Sequence, residues 1–395
     1  MRWRFAAVVV WAVALPVFAQ TSSIQFHGFL SARAVDVKAQ PSWTEGGYGR
    51  FDVGAASSAS RRIVNVDVAQ LGIDWTPTTW LVLHADGVVR HEPSDAHGRG
   101  AGLVQAYADF YSARWRLRLG NFWLPTSREN TDPLWTSRYT ITYSALNTWI
   151  AQEVRPIGAD LQFSPNFYVT AGATLLRGND TMGTELAARG WTLGNRLSVY
   201  GEDLPLPEDY RTTKPVTHDL DHRNGYSERI RVQLPERAML QLTHIDNRAE
   251  LVPEIDGQTP WKTRFNVVGG MIGQSSPTTL AGEWASGWTA VAFPGGSFRM
   301  DFETAYILLT QLRGRDRWTV RLDRFSTHGH ARRTADASAE SGRATTVAWL
   351  RQVSGHLRAG VEYARVRGNR PALEKQGDDP NTGGSTITVE LRWGF

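Results

Sequence analysis

In the stretch Arg114-Trp115-Arg116-Leu117-Arg118 every second residue is an arginine. A guanidinium stays charged at any accessible pH and offers a flat fork that fits a carboxylate or phosphate oxygen pair. Three of them on one face of an extended segment make a ladder that favours anions moving along it. The segment that follows, residues 121–156, adds Arg128, Glu129, Asp132, Arg138, Glu153 and Arg155. Acids standing opposite the ladder would set up a transverse field that orients polar solutes. The plainer alternative is a wetted wall whose charges cancel in mutual salt bridges.

Groups suited to catalysis or metal binding are sparse. There is no cysteine, so thiol chemistry, disulfides and cysteine-bound metal are excluded, and neither G-x-S-x-G nor H-E-x-x-H occurs. His84 and Asp86 share one phase of an extended segment, where a solvated pair is expected. His218, Asp219, Asp221 and His222 in "THDLDH" carry ligand atoms for a divalent ion, as do Asp378, Asp379 and Asn381 in "GDDPN". Both clusters fall in segments that read as exposed loops, where polar residues are usual. No metal or cofactor is expected.

Arginines at every second position require a strand, because successive side chains of a strand point to opposite faces. The same alternation recurs along the chain. Phe298, Met300, Phe302, Tyr306 and Leu308 alternate with Arg299, Asp301 and Glu303; Trp318, Val320 and Leu322 alternate with Arg317, Thr319, Arg321 and Asp323. The last residues set Ile387, Val389, Leu391, Trp393 and Phe395 against Thr388, Glu390, Arg392 and Gly394. No helical segments intervene to cover the oily faces, so lipid is their expected cover.

The gaps between strands alternate in length, with short ones such as residues 76–79, 164–166, 235–237 and 313–316. The pattern predicts a transmembrane antiparallel up-and-down β-barrel of 16 strands, seven short turns and eight longer loops; Trp191–Asp203 as a hairpin arm would make it 18. A barrel of that width is too wide for wall side chains to fill and encloses water. The loop after the fifth strand, residues 121–156, carries Trp123, Leu124, Trp135, Tyr139, Tyr143 and Trp149, an apolar set unfavourable in water. It is expected to fold inward and narrow the lumen; the alternative is an external cap that binds a partner. Trp75, Trp80, Trp318, Trp349 and Trp393, near strand ends, read as the interfacial girdle.

Residues 1–19 combine Arg2 and Arg4, a short apolar core and small residues before Gln20, the order of a cleaved secretory signal. Residues 20–395 then form a single barrel domain. No other apolar run approaches the roughly 20 residues that a membrane-spanning helix needs. The formal charge of +4 falls to +2 without the two signal arginines, too mild for nucleic-acid binding.

The architecture resembles the bacterial outer-membrane porin superfamily, 16-stranded type, in which the third external loop forms the pore constriction. "LGNFWLPTSREN", Leu119 to Asn130, is distantly similar to a stretch in the phosphate-selective porins, although only four residues here are lysines (Lys38, Lys214, Lys262 and Lys375). The terminal strand resembles the signal read by the barrel assembly machinery, which implies that machinery as a partner acting through Phe395. The resemblance implies the outer membrane of a Gram-negative bacterium, contact with outer-membrane lipid and a homotrimer. It also implies passive diffusion of small polar or anionic solutes rather than an enzyme. Mild anion preference is expected, limited by acids read as lumenal: Asp109, Asp160, Asp301, Glu303, Glu362 and Glu390. A barrel hydrolase and a closed docking or structural barrel are the competing readings.

Overall fold

The computed structural model describes residues 22–91, 100–132, 134–207, 212–216, 218–330 and 338–395; residues 1–19, expected to be a secretory signal, lie outside them. Its first seven strands are β1 (Ser23–Ala39), β2 (Arg62–Thr78), β3 (Leu81–His91), β4 (Ala101–Tyr111), β5 (Trp115–Asn121), β6 (Ile157–Phe163) and β7 (Val169–Arg177). A small ribbon, β8 (Leu204–Pro205) with β9 (Thr212–Thr213), lies in the next connection. Then come β10 (Gly225–Leu234), β11 (Ala238–Asp246), β12 (Trp261–Ile272), β13 (Thr278–Phe293) and β14 (Gly296–Arg313). The last are β15 (Asp316–Gly329), β16 (Glu340–Gln352), β17 (Leu357–Asn369) and β18 (Gly384–Gly394).

Apart from the ribbon, the strands pair in chain order, β7 with β10, and β18 returns to β1 to close a barrel of sixteen. Closure leaves no edge unpaired, which a lipid environment demands. At the seam Gly28 N donates to Phe395 O at 3.0 Å and Phe395 N to Gly28 O at 3.1 Å. A Cβ on Gly28 would stand 2.7 Å from the Phe395 ring, so glycine is what lets the terminal ring lie against β1.

The expectation of sixteen strands holds, and the eighteen-strand alternative does not. Trp191–Asp203 adds no hairpin; Trp191, Leu193, Leu197 and Val199 are buried within the barrel, and Leu193 N donates to Arg50 O at 2.8 Å. With every barrel edge already paired, this backbone finds its partners among the inserted loops and at the ends of wall strands, where Tyr200 N donates to Leu103 O of β4 at 2.9 Å.

On β15 the sides fall as the alternation predicts: Leu322 is 50 % exposed toward the bilayer while Arg321 beside it is 0 % exposed in the lumen. β14 corrects the sequence reading. Met300, Phe302, Tyr306 and Leu308 point inward and are buried, whereas Ile307 and Leu309 face lipid. Asp301 and Glu303 are therefore outside and not lumen acids. The reason is that β14 continues past the apolar band toward the long-loop end, where the outer face meets water and the inner face meets packed loops. Out there Asp301 pairs with His330 at 2.7 Å and Glu303 accepts from Trp284 Nε1 at 2.8 Å. At the opposite, short-turn end, Trp75, Trp80, Trp318 and Trp393 are exposed, and the Trp318 and Trp349 rings pack 6.1 Å apart, as a girdle would.

Three short α-helices, α1 (Ala145–Glu153), α2 (Thr184–Arg189) and α3 (Ala372–Gln376), and one 3-10 turn at Trp43–Glu45 complete the described chain. Among the described residues no helix is long and apolar enough to cross a membrane.

Candidate functional site

The lumen is occupied from within. Near the end of β5, Gly120 at φ 134° turns the chain inward; a Cβ there would stand 2.3 Å from Ala106 O. Phe122, Trp123, Leu124, Trp135, Tyr139, Ile141 and Tyr143 are all buried, as the inward-folding expectation requires. Trp123 stacks on Trp135 at 4.3 Å, and Tyr143 meets Trp135 edge-on at 5.6 Å. Ser144 caps α1 by accepting from Asn147 N at 3.2 Å. The helix lies wholly buried across the barrel, its Trp149 ring 4.9 Å from Phe265, 5.2 Å from Phe302 and 5.7 Å from Trp191. That aromatic core is what the inward face of β14 was apolar for.

Wall side chains hold this loop by its backbone. Arg321 of β15 donates to Glu129 Oε1 at 2.6 Å, Thr142 O at 2.7 Å, Tyr143 O at 2.9 Å and Asp323 Oδ2 at 3.0 Å. Glu362 of β17 accepts from Ile141 N at 2.6 Å and Thr142 N at 3.0 Å. Asp323 accepts from Ala145 N at 3.1 Å. A fully buried fork with two buried carboxylates and two carbonyls around it is a latch, since neither charge of its ion pairs reaches water in its present position.

A second layer sits on the first. From the β1–β2 loop, Arg50 pairs with Glu340 at 2.8 Å and donates to Arg189 O at 2.9 Å and Trp191 O at 3.0 Å. Glu153 ties the layers together: it accepts from Trp149 Nε1 at 2.6 Å and from Glu185 N at 3.0 Å, at the start of α2. Burial, and then the Glu185 carboxylate beside it, push Glu153 above the ordinary carboxylate range.

The nine candidate residues separate. Arg114 stands in the exposed turn before β5, off the wall. Arg116 and Arg118 face the lumen; Arg118 is paired with Asp109 at 2.7 Å, whereas Arg116 reaches Asp160 at 3.3 Å but shares it with Arg229 of β10, which holds the same carboxylate at 2.5 Å. The register sets Arg118 opposite Asp109 on one side and Asp160 on the other. Arg128 is buried against Gln241 Oε1 at 3.3 Å and the Thr126 carbonyl at 3.2 Å, and burial lowers its pKa. Asp132 and Arg138 pair with each other at 2.8 Å. Arg155 stacks on Trp123 at 4.5 Å and donates to Ser198 O. Glu129 and Glu153 go to Arg321 and α2, so the loop acids do not stand opposite the arginine ladder.

The loop clusters are used locally. Asp219 pairs with Arg177 at 2.5 Å, Asp221 accepts from Arg223 N at 2.8 Å, and Asp379 accepts from Asn381 N at 2.9 Å.

One space left open runs between residues 136–143 of the inserted loop and the wall of β1, β2, β3 and β18, under residues 193–197. Its water-sized room is about 80 Å³, enough for roughly five to eight waters at about 10–15 Å³ each. Arg33, Arg90, Arg196 and Arg392 line it against Asp52 and Glu390. Arg90 and Arg196 share Glu202 at 2.8 and 2.5 Å, and Glu390 is taken by Arg358 at 2.8 Å. Arg33 donates to Asn195 Oδ1, and Arg392 lies 3.5 Å over the Phe29 ring; neither is in an ion pair among the described residues. The slot is basic through residues absent from the candidate set. Their only signal in the sequence is a place on the wet phase of a strand or in a loop.

No family model matches the chain, and no curated protein matches it in sequence. Solved structures match its fold. The outer membrane channel DcaP of Acinetobacter baumannii aligns at TM-score 0.60 and 12 % identity over 95 % of this chain and 97 % of that one. OmpT, an outer membrane protein of Vibrio cholerae, in its trimer form, aligns at TM-score 0.57 and 8 % identity over 95 % and 100 %. An anion-selective porin from Comamonas acidovorans aligns at TM-score 0.53 and 11 % identity over 95 % and 100 %. The chain has the sixteen-stranded fold of the outer-membrane porins.

Proposed function

We propose that the protein is an outer-membrane channel in a Gram-negative bacterium, passing small hydrophilic solutes by passive diffusion with a mild preference for anions. The observation that carries this reading is the basic slot left beside an inward-folded third loop in a closed sixteen-stranded barrel. Short turns face the periplasm and long loops the exterior, as in barrels of this kind. Arg33 and Arg392 are the principal anion-attracting groups, because the remaining slot arginines share a carboxylate. Arg116 and Arg118 line the periplasmic approach, where Asp109 and Asp160 reduce their effect. The trimeric form of a structural neighbour supports a homotrimer, and the Phe395 seam supports recognition of the last strand during barrel assembly.

With so little room in the slot, conductance should be small for a barrel of this width. The test is single-channel recording of the refolded protein in a planar bilayer under a salt gradient. Discrete small steps with an anion-directed reversal potential are expected. A silent bilayer from correctly folded protein would transfer the assignment to a sealed docking or structural barrel.

A further inference from the structure

Below the slot, at the short-turn end of the lumen wall, three strands bring together side chains far apart in sequence. His27 of β1, Asp74 of β2 and His84 of β3 place one ligand atom each within 4.8 Å of one another. His84 Nδ1 is 2.6 Å from Asp74 Oδ1, and His27 Nδ1 is 3.5 Å from Asp74 Oδ2. The two imidazoles are stacked with centroids 5.7 Å apart. Around a tetrahedral zinc, with metal–ligand bonds of about 2.0–2.2 Å, ligand atoms stand roughly 3.3–3.5 Å apart. The His27–Asp74 distance already has that value, but it runs to Oδ2 while the His84 contact runs to Oδ1, so the Asp74 carboxylate must turn or bind through both oxygens, and the His84 side must open by less than about 1 Å.

The outer shell is what sets this cluster apart from a solvated pair. His84 Nε2 faces Asp86 Oδ2 at 3.1 Å, and Asp86, itself buried, is held by Gln105 Nε2 at 2.8 Å and Gln70 Nε2 at 3.1 Å. A carboxylate on the far nitrogen of an imidazole fixes the ring and directs the other nitrogen's lone pair at the metal. Here that nitrogen is Nδ1, which points at Asp74. His27 and Asp74 are 23 % and 28 % exposed, so an ion has a path from the lumen and a position left for water.

We infer that His27, Asp74 and His84 form a binding site for a divalent first-row transition ion, with Asp86 as the carboxylate that orients His84. Two imidazoles and one carboxylate suit zinc or copper better than magnesium or calcium. Gln70 also donates to Leu134 O of the inserted loop at 3.2 Å, so the ion would brace that loop against the wall.

The test uses untagged full-length protein, refolded and stripped with chelator, titrated with Zn²⁺ by calorimetry and with Cu²⁺ by electron paramagnetic resonance. One equivalent per chain is expected, with nitrogen hyperfine structure from two imidazoles. His27→Gln, at a partly exposed position, should weaken Zn²⁺ binding at least tenfold and leave one nitrogen in the Cu²⁺ spectrum. Asp86→Asn should weaken binding by about tenfold to a hundredfold without removing a ligand. His356→Gln, at the same end but outside the cluster, should bind as the wild type does. Absence of saturable binding by folded wild type, or equal binding by wild type and His27→Gln, overturns the assignment. Neither result depends on whether the barrel conducts.

Discussion

Replacing Arg321 with methionine should open the channel. The guanidinium is fully buried and holds Glu129, Asp323 and the carbonyls of Thr142 and Tyr143 at once. Removing one partner of a buried ion pair leaves the other charge stranded, at a cost of about 3–5 kcal/mol. The stranded carbonyls add to this, although not additively within one network. The wall strands keep their ladders, so relief comes from the inserted loop moving until Glu129 meets water. At about 1.4 kcal/mol per tenfold, the balance between packed and released loop shifts roughly a hundredfold to several thousandfold. The Glu362 clamp and the Trp149 core oppose release, so intermittent opening rather than complete loss of the loop is expected. Single-channel recordings of Arg321→Met should show larger, flickering steps than wild type, and Arg321→Lys, which keeps the charge without the fork, should lie between. Unchanged conductance together with unchanged tryptophan fluorescence in a correctly folded Arg321→Met barrel would refute the latch.

Arg33→Gln with Arg392→Gln should move the reversal potential toward cations, whereas Arg114→Gln, out in the exposed turn, should leave it unchanged. The Glu153 carboxyl is raised to about 8 by burial, so its contribution to the packing of the two inserted layers is fullest below the ordinary carboxylate range and is lost as pH rises through that value. Wild-type conductance should therefore rise between about pH 7 and pH 9, and Glu153→Gln should abolish that rise. Ile307→Arg, in the apolar band of β14, should cost about 2–4 kcal/mol and lower folding yield in vesicles. Glu303→Lys on the same outward phase, beyond the band, should fold within about 0.5 kcal/mol of wild type.

Much of the wall was legible in the chain itself. Alternation is a local property of extended backbone, so Trp318, Val320 and Leu322 could be separated from Thr319, Arg321 and Asp323 without any knowledge of neighbours. Turn spacing supplied the sixteen strands, and the aromatic richness of residues 121–156 placed that loop inside. Alternation divides a strand into two faces without saying what either face meets. Met300 and Phe302 read as lipid-facing for that reason, until the helix carrying Trp149 proved to lie against them. Pairing partners were equally hidden, because they depend on register and on closure of the ring. The neutralisation of Arg118 by Asp109, the Arg321–Glu129 latch and the meeting of His27 with Asp74 and His84 all required the assembled barrel. Periodicity determined which residues share a face of each strand; only the tertiary structure decided which face met the lumen, which charges would be cancelled there and which left to act.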